Sequence, residues 1–369
     1  MENFIVSARK YRPSVFDEVV GQKHITDTLL NEINNNHLAQ AFLFTGPRGV
    51  GKTTCARILA KVINQQSTDD LDQDFAFNIF ELDAASNNGV DDIRNLNEQV
   101  RIPPQIGKYK VYIIDEVHML SSQAFNAFLK TLEEPPSYAI FILATTEKHK
   151  ILPTILSRCQ IFNFKRIQIK DMVEYLKTIA AKENIKVDED ALHLIAEKAD
   201  GGLRDCLSMF DQMASFCEND ITYAKASENL NILDRDYFFK ITDYLLNQEI
   251  GQVLNSYDEI VNKGFEGQTF LNGLSEHFRN LMVCKMPETA HLLDVGENHK
   301  LKYEEQSKSV DLSFLLNALN INNQFDVEYK NSRNQRLHIE LALMKLSHIK
   351  SLLSSTTTLE ELKKKVMSI

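Results

Sequence analysis

Gly46-Pro47-Arg48-Gly49-Val50-Gly51-Lys52-Thr53 has the residue types and spacing of a phosphate cradle. An apolar run from Ala41 to Phe44 precedes it and reads as a buried strand. Thr54 to Ile63 follow, with apolar residues at helical spacing. In a strand, glycine-rich loop and helix of this kind, backbone N–H groups and the positive helix end point at one anion. Gly46 and Gly51 allow the turn and the close approach of backbone to phosphate. Lys52 then reaches the β- and γ-phosphates, the Thr53 hydroxyl holds Mg²⁺, and Thr54 sits where the helix begins. The stretch predicts a nucleoside triphosphate site.

Such a site needs a carboxylate partner for the metal. Tyr109 to Asp115 reads as a strand whose apolar residues Val111, Ile113 and Ile114 stop abruptly at Asp115-Glu116. A carboxylate at the C-terminal end of a parallel strand, beside a phosphate loop, is where a Mg²⁺ ligand belongs. Asp115 is expected to hold the ion through water and Glu116 to polarise the attacking water. A further buried strand, Ala139 to Ala144, ends in Thr145-Thr146. A hydroxyl there can bond the γ-phosphate or the water, or can serve only as a β-branched strand residue.

The elements that must position these groups follow from periodicity. A helix is predicted over Lys23–Asn34, a loop over Gln65–Phe75 and a strand over Asn78–Leu82. Helices follow over Val90–Val100 and Ser122–Leu132, the second stopped by Glu133-Glu134-Pro135-Pro136. A short helix begins at Leu152-Pro153, and Ile161–Ile167 is the last strand. Five strands alternating with helices argue an α/β fold with a doubly wound parallel sheet. From Lys170 the period is helical throughout, and Gly201-Gly202 interrupts it before Leu203–Cys217. The expected division is 1–166 for the nucleotide-binding domain, 167–228 for a three-helix lid and 229–369 for a helical collar. Polar breaks are expected near Asn262–Gly267 and Met286–Gln306, and a polar linker near Ser354–Thr358.

Two stretches stay ambiguous on residues alone. Ala8-Arg9-Lys10-Tyr11-Arg12-Pro13 can cover an adenine base or pack an arm on the surface. Asp83-Ala84-Ala85-Ser86-Asn87-Asn88-Gly89 precedes a helix and can offer donors to phosphate, or be an ordinary cap with Asp91 and Asp92 complementing the dipole.

Composition restricts the function classes. The 369 residues are 43% hydrophobic and 25% charged, as in ordinary globular proteins. No apolar run is long enough to span a membrane and no signal-peptide core is visible, so a cytoplasmic protein is expected. Net charge is −10, yet residues 1–166 hold 18 Lys and Arg against 19 Asp and Glu. A polyanion contact must therefore be local and belong to that half. Of the five cysteines, the closest pair, Cys206 and Cys217, share a helical face and are expected in the core. About 16 Å of helix axis separates them, which excludes a shared metal or disulfide.

Taken together these residues resemble the AAA+ ATPases and, within them, the clamp-loader subunits of bacterial DNA polymerase III of the tau/gamma kind. The marks are Ala8–Pro13, Gly46–Thr53, Asp83–Ser86, Asp115-Glu116-Val117-His118, Leu129–Pro136, Ala144–Thr146, Ser157-Arg158-Cys159 and Gly201–Asp205. They cover most of 1–210; over 231–369 the resemblance rests on pieces such as His277-Phe278-Arg279 and Arg336–Leu346.

The resemblance implies roles. Arg158 is similar to an arginine finger that reaches the γ-phosphate of a neighbouring subunit, and Arg204 to a lid arginine that touches its own subunit's nucleotide. Thr145 or Thr146 takes the sensor position, with Thr146 preferred. Tyr11, Arg12 and Val20 look like the adenine-side contacts, and Ser86, Asn87, Asn88 and Arg94 match the region facing DNA. The implied activity is an ATP- and Mg²⁺-dependent motor that opens a sliding clamp and loads it on primer–template DNA, without polymerase chemistry of its own. The implied partners are delta- and delta-prime-type subunits, further copies of the chain, the clamp and DNA, with no membrane. Another AAA+ DNA remodeller or a non-hydrolysing scaffold subunit are the alternatives; intact Lys52, Asp115 and Glu116 count against the scaffold. One departure stands out: the family's four-cysteine zinc module has no counterpart in Asn64–Asn78, which holds no cysteine, so no zinc site is expected.

Overall fold

A computed structural model describes residues 5–65, 77–293 and 295–351 and divides the chain into two compact units. The first takes residues up to 185 and 195–215; the second takes 186–194 and the chain from 216 onward. The first unit holds strands β1 (Ala41–Thr45), β2 (Ile79–Asp83), β3 (Lys110–Asp115), β4 (Ala139–Thr145) and β5 (Gln160–Asn163). Its helices are α1 (Ser7–Lys10), α2 (Lys23–Asn34), α3 (Lys52–Gln65), α4 (Val90–Val100), α5 (Ser122–Glu133), α6 (Pro153–Leu156) and α7 (Ile169–Glu183). The helical run continues with α8 (Glu189–Lys198) and α9 (Leu203–Phe216).

All five strands are parallel, in the order β2-β3-β4-β1-β5. Alternate side chains of a strand face opposite sides, and both sides are buried here. Phe42, Phe44, Val111, Ile113, Ile140 and Ile142 pack with Ile25, Leu29 and Ile33 of α2 and with Cys55, Ile58 and Leu59 of α3. Their strand neighbours Leu43, Tyr112, Ile114, Phe141 and Leu143 pack with Ile93 and Leu96 of α4 and Phe125 and Phe128 of α5 on the other side. Full burial of a side chain of this size contributes roughly 1.5–3 kcal/mol. The doubly wound parallel sheet is thus present.

Two elements have boundaries that differ from expectation by more than one residue. Helix α3 starts at Lys52, two residues early, because the Cys55 N–H already donates to Gly51 O at 2.8 Å. The last strand ends at Asn163 rather than Ile167. Phe164 N–H still donates to Thr45 O at 2.7 Å, but beyond it the backbone finds partners outside the sheet. Gln22 Nε2 donates to Lys165 O at 2.7 Å, and Ile167 N–H to Gly201 O at 3.1 Å. Chain 165–167 therefore turns away toward Gly201.

In α7 the predicted face of Met172, Val173, Leu176, Ile179 and Ala180 is buried. Cys206 and Cys217 are also buried. The second unit begins with a parallel pair, β6 (Lys186–Val187) and β7 (Asp220–Ile221). Helices α10 (Tyr223–Asn229), α11 (Arg235–Leu246), α12 (Ile250–Asn262), α13 (Gly267–Lys285), α14 (Glu297–Ser309), α15 (Leu312–Tyr329) and α16 (Gln335–Ser347) follow. Phe238, Phe270, Leu274, Phe278, Leu315 and Leu343 are central to its core.

The polar stretch Met286–Gln306 is not one break: α14 occupies its second half. That helix has almost no apolar stripe, and it is fixed instead by a few buried groups, among them Tyr303 and Gln306. The loop predicted over 65–75 lies, beyond Gln65, outside the described residues, as does Ser354–Thr358. Among the described residues no helix is long and apolar enough to cross a membrane.

Candidate active site

The C-terminal ends of β1 and β3 open into a cavity of about 540 Å³, within the range that holds nucleotide-sized ligands. Its floor is the loop from Arg48 to Thr54, with Asp115 and Glu116 on one side. Two loop glycines are needed where they stand. Gly46 has φ +148°, and a Cβ there would lie 2.4 Å from Phe164 O. Gly51 has φ +100°, a region that side-chain-bearing residues avoid.

The loop delivers Lys52 and Thr53 from the first turn of α3. Lys52 is 6% exposed, and its ammonium donates to Gly46 O and Pro47 O, both at 2.8 Å. Burial lowers its pKa, while Glu116 and Asp115 act in the opposite direction. Thr53 Oγ1 donates to Asp115 Oδ2 at 2.7 Å. A hydroxyl and a carboxylate in contact form a hard oxygen pair, the donor set that suits Mg²⁺ when phosphate and water supply the remaining ligands. The residues fit the ion.

Glu116 sits just past the strand end in the left-handed region, φ 47°, with its N–H donating to Asp115 Oδ1 at 2.9 Å. The bend sends the two carboxylates to different partners. Asp115 faces Thr53, whereas Glu116 Oε2 accepts from Thr146 N–H at 3.2 Å and Thr146 Oγ1 at 3.1 Å. Of the two threonines, Thr146 touches Glu116. Thr145 is fully buried and bonds the His118 ring instead, with Oγ1 3.0 Å from Nδ1.

The far wall is basic and apolar. Tyr11, Arg12, Val20 and Arg204 line it, joined by Val19, Ile167, Leu203 and Leu207. Burial is the main cause that lowers the Arg12 pKa, and the like charges of Arg57 and Arg204 add to it. Cations crowded in this way attract an anion. Arg204 N–H donates to Gly49 O at 3.4 Å, which joins the loop to the start of α9. The Tyr11 phenol donates to Glu183, and Tyr175 Oη donates to Tyr11 O at 2.9 Å, so α7 anchors the N-terminal arm. Burial, then the Glu183 carboxylate, raises the Tyr11 pKa.

The remaining candidates lie off the cavity. Arg158 follows α6 and pairs with Glu133 Oε1 at 2.6 Å. Ser86 and Asn88 are exposed, and Arg94 pairs with Asp91 at 3.0 Å on the open face of α4. Asp83 organises this loop by accepting from Ala85 N–H and Ser86 Oγ, and Asp92 caps α4 through Gly89 N–H at 3.0 Å. Both earlier readings of the stretch remain available: the cap is present, and Ser86 and Asn88 stay open to solvent. Among the described residues no group of three or more His, Cys, Asp or Glu is arranged to hold a metal ion. Most of 64–78 lies outside them.

Comparison with known proteins gives the family. Residues 21–168 match the model of the DNA polymerase III delta subunit. Residues 171–219 match the ATPase lid domain of the DNA polymerase III clamp loader subunit, and 221–362 match domain III of DNA polymerase III subunits gamma and tau. The tau subunit of Bacillus subtilis DNA polymerase III is 39% identical over 354 residues, covering 92% of this chain and 62% of that protein. The gamma/tau subunit of Mycoplasma genitalium is 39% identical over 333 residues, 86% of this chain and 55% of the relative. This chain thus spans little more than half the length of these relatives. The gamma subunit of Buchnera aphidicola subsp. Baizongia pistaciae is matched nearly end to end, 34% identical over 84% of this chain and 87% of its own length. The chain belongs to the gamma and tau subunit family of DNA polymerase III.

Proposed function

We propose that the chain is an ATP-hydrolysing motor subunit of a sliding-clamp loader, acting in the cytoplasm during DNA replication. The observation that carries the reading is the convergence at one cavity of Lys52, the Thr53–Asp115 pair and Glu116 held by Thr146. Gly46–Thr54 cradle the phosphates, with Lys52 swinging from its own loop carbonyls onto the β- and γ-oxygens. Thr53 and Asp115 hold Mg²⁺, which when bound neutralises charge on the phosphates. Glu116 orients and polarises a water for in-line attack on the γ-phosphorus, giving ADP and phosphate.

Tyr11, Arg12 and Val20 form the adenine side, and Arg204 binds the phosphates of its own subunit. Arg158 acts in trans: it is outside its own cavity, and a rotation off Glu133 frees its guanidinium for a neighbour's γ-phosphate. The DNA-facing group is Ser86, Asn87, Asn88 and Arg94. Domains over 1–166, 167–228 and 229–369 serve as ATPase module, lid and collar. Partners are delta- and delta-prime-type subunits, further copies of this chain, the clamp and primer–template DNA.

The test is ATP turnover by the assembly reconstituted with its partner subunits. Turnover should rise when the clamp and primer–template DNA are added together. A complete assembly that binds ATP but neither hydrolyses it nor retains the clamp on DNA overturns the reading.

A further inference from the structure

His118 stands beside Glu116 and takes no part in holding nucleotide, metal or water as proposed for Lys52, Thr53, Asp115 and Glu116. Its side chain is 6% exposed, which is unusual for an imidazole with carboxylates on both sides. Nδ1 lies 3.4 Å from Glu116 Oε2 and 3.0 Å from Thr145 Oγ1. Nε2 lies 3.3 Å from Glu147 Oε1. A proton on either nitrogen therefore has an acceptor.

The ring is held from behind. Glu147 N–H donates to Thr145 Oγ1 at 3.0 Å, and Lys150 Nζ donates to the Glu147 carboxylate at 2.8 Å. His149 Nε2 also approaches Glu147, at 3.5 Å. On the other side all the contacts fall on one oxygen of Glu116. Oε2 takes both Thr146 donors and faces His118 Nδ1, so Oε1 is the oxygen left to face a water.

We propose that His118 is a positioning residue for Glu116: fixed by Glu147 and Thr145, it anchors Oε2 and leaves Oε1 to the water. The inference rests on the hydrolytic role proposed for Glu116. His118 is not among the residues that line the cavity, so its loss should act on turnover and spare nucleotide affinity. A carboxylate free to rotate about its last bond loses the fixed direction that in-line attack requires.

The experiment uses the reconstituted assembly with clamp and primer–template DNA, measuring kcat and, separately, the Kd of a fluorescent ATP analogue. His118→Ala should lower kcat about tenfold to hundredfold, the scale on which a small misplacement of a catalytic group is felt, with Kd unchanged. His118→Asn places an amide N–H near the former Nδ1 and should recover much of the loss. His118→Gln places its N–H toward Glu147 and should not. In a Glu116→Gln background, His118→Ala should add no further loss. If the wild-type assembly hydrolyses ATP but His118→Ala matches it, the positioning role is wrong. The same follows if Asn rescues no better than Gln, or if Kd rises as kcat falls. A wild-type assembly without hydrolysis instead refutes the functional reading itself. Should His118→Ala fail to assemble, half-buried Glu147→Ala carries the test: a fall in kcat at constant Kd supports the role, and wild-type turnover overturns it.

Discussion

His118 in the first unit and His277 in the second are both nearly closed to solvent, yet their neighbours differ in kind. His118 lies between the carboxylates of Glu147 and of Glu116, and Glu116 lines the cavity. His277 is surrounded by Phe238, Phe239, Phe278 and Tyr303. Its nitrogens meet neutral partners, Tyr303 Oη at 3.2 Å and Gln306 Oε1 at 3.0 Å. Gln306 is in turn tied to Phe239 O and Asp243 Oδ1. Burial lowers the His277 pKa to about 3, against a raising contribution from Gln306 and a lowering one from Arg235. Burial by itself therefore says little about function. A buried polar group among charges that open onto a cavity can do chemistry, whereas one among rings and amides fixes a helix.

The contrast predicts that substitutions around the cavity cost activity, whereas substitution of His277 costs only stability. The largest effect belongs to Arg158. Arg158→Ala should lower hydrolysis by about 10³–10⁵, as for arginine fingers generally. Lys52→Ala should abolish or severely cut ATP binding while the fold persists. Mixed in one assembly, the two variants should regain activity wherever an intact pocket meets an intact finger. A mixture that assembles by mass yet stays inactive refutes the trans role.

Next comes Glu116→Gln, which keeps the shape but not the charge. Turnover should drop by about 10²–10⁴, the usual worth of a positioned base, with ATP and clamp binding retained. Wild-type turnover in that variant would remove Glu116 as the water activator.

His277 tests the other half of the contrast. Its folded pKa lies below the ordinary value of 6.5, so the unfolded chain takes up a proton first as pH falls. The contribution is complete above pH 6.5 and is lost as pH falls toward about 3. The slope in that window is about 1.4 kcal/mol per pH unit. Thermal unfolding from pH 7 to 4.5 should be less pH-dependent in His277→Gln than in wild type, with ATP turnover at pH 7.5 unchanged. Parallel slopes would contradict the assignment of His277 to stability.

The smallest effect is expected at Arg94. Its ion pair with Asp91 is exposed and worth little to stability. Arg94→Ala should weaken DNA stimulation modestly and reduce the salt slope of DNA binding by about one. An unchanged slope would take Arg94 out of the DNA-facing group.

What the sequence by itself determined is whatever depends on neighbours along the chain. The phosphate loop was legible because strand, glycines, Lys52 and helix lie within some twenty residues, and Asp115-Glu116 because the apolar run of β3 ends at it. The helical face of α7 was legible for the same reason. Helix α14 was not, since it has almost no apolar stripe and its place depends on Tyr303 and Gln306 meeting His277 of α13. Tertiary structure alone decided the strand order. With β4 between β1 and β3, Thr146 is brought to Glu116 and Thr145 to His118 across about 30 residues of chain. It also brought Leu203 and Leu207 to the cavity and paired Arg158 with Glu133. Periodicity reports which face of an element is buried, but parallel strands joined by helices carry no local mark of their neighbours. Which strand lies beside which is settled only when the two faces of the sheet find the helices that cover them.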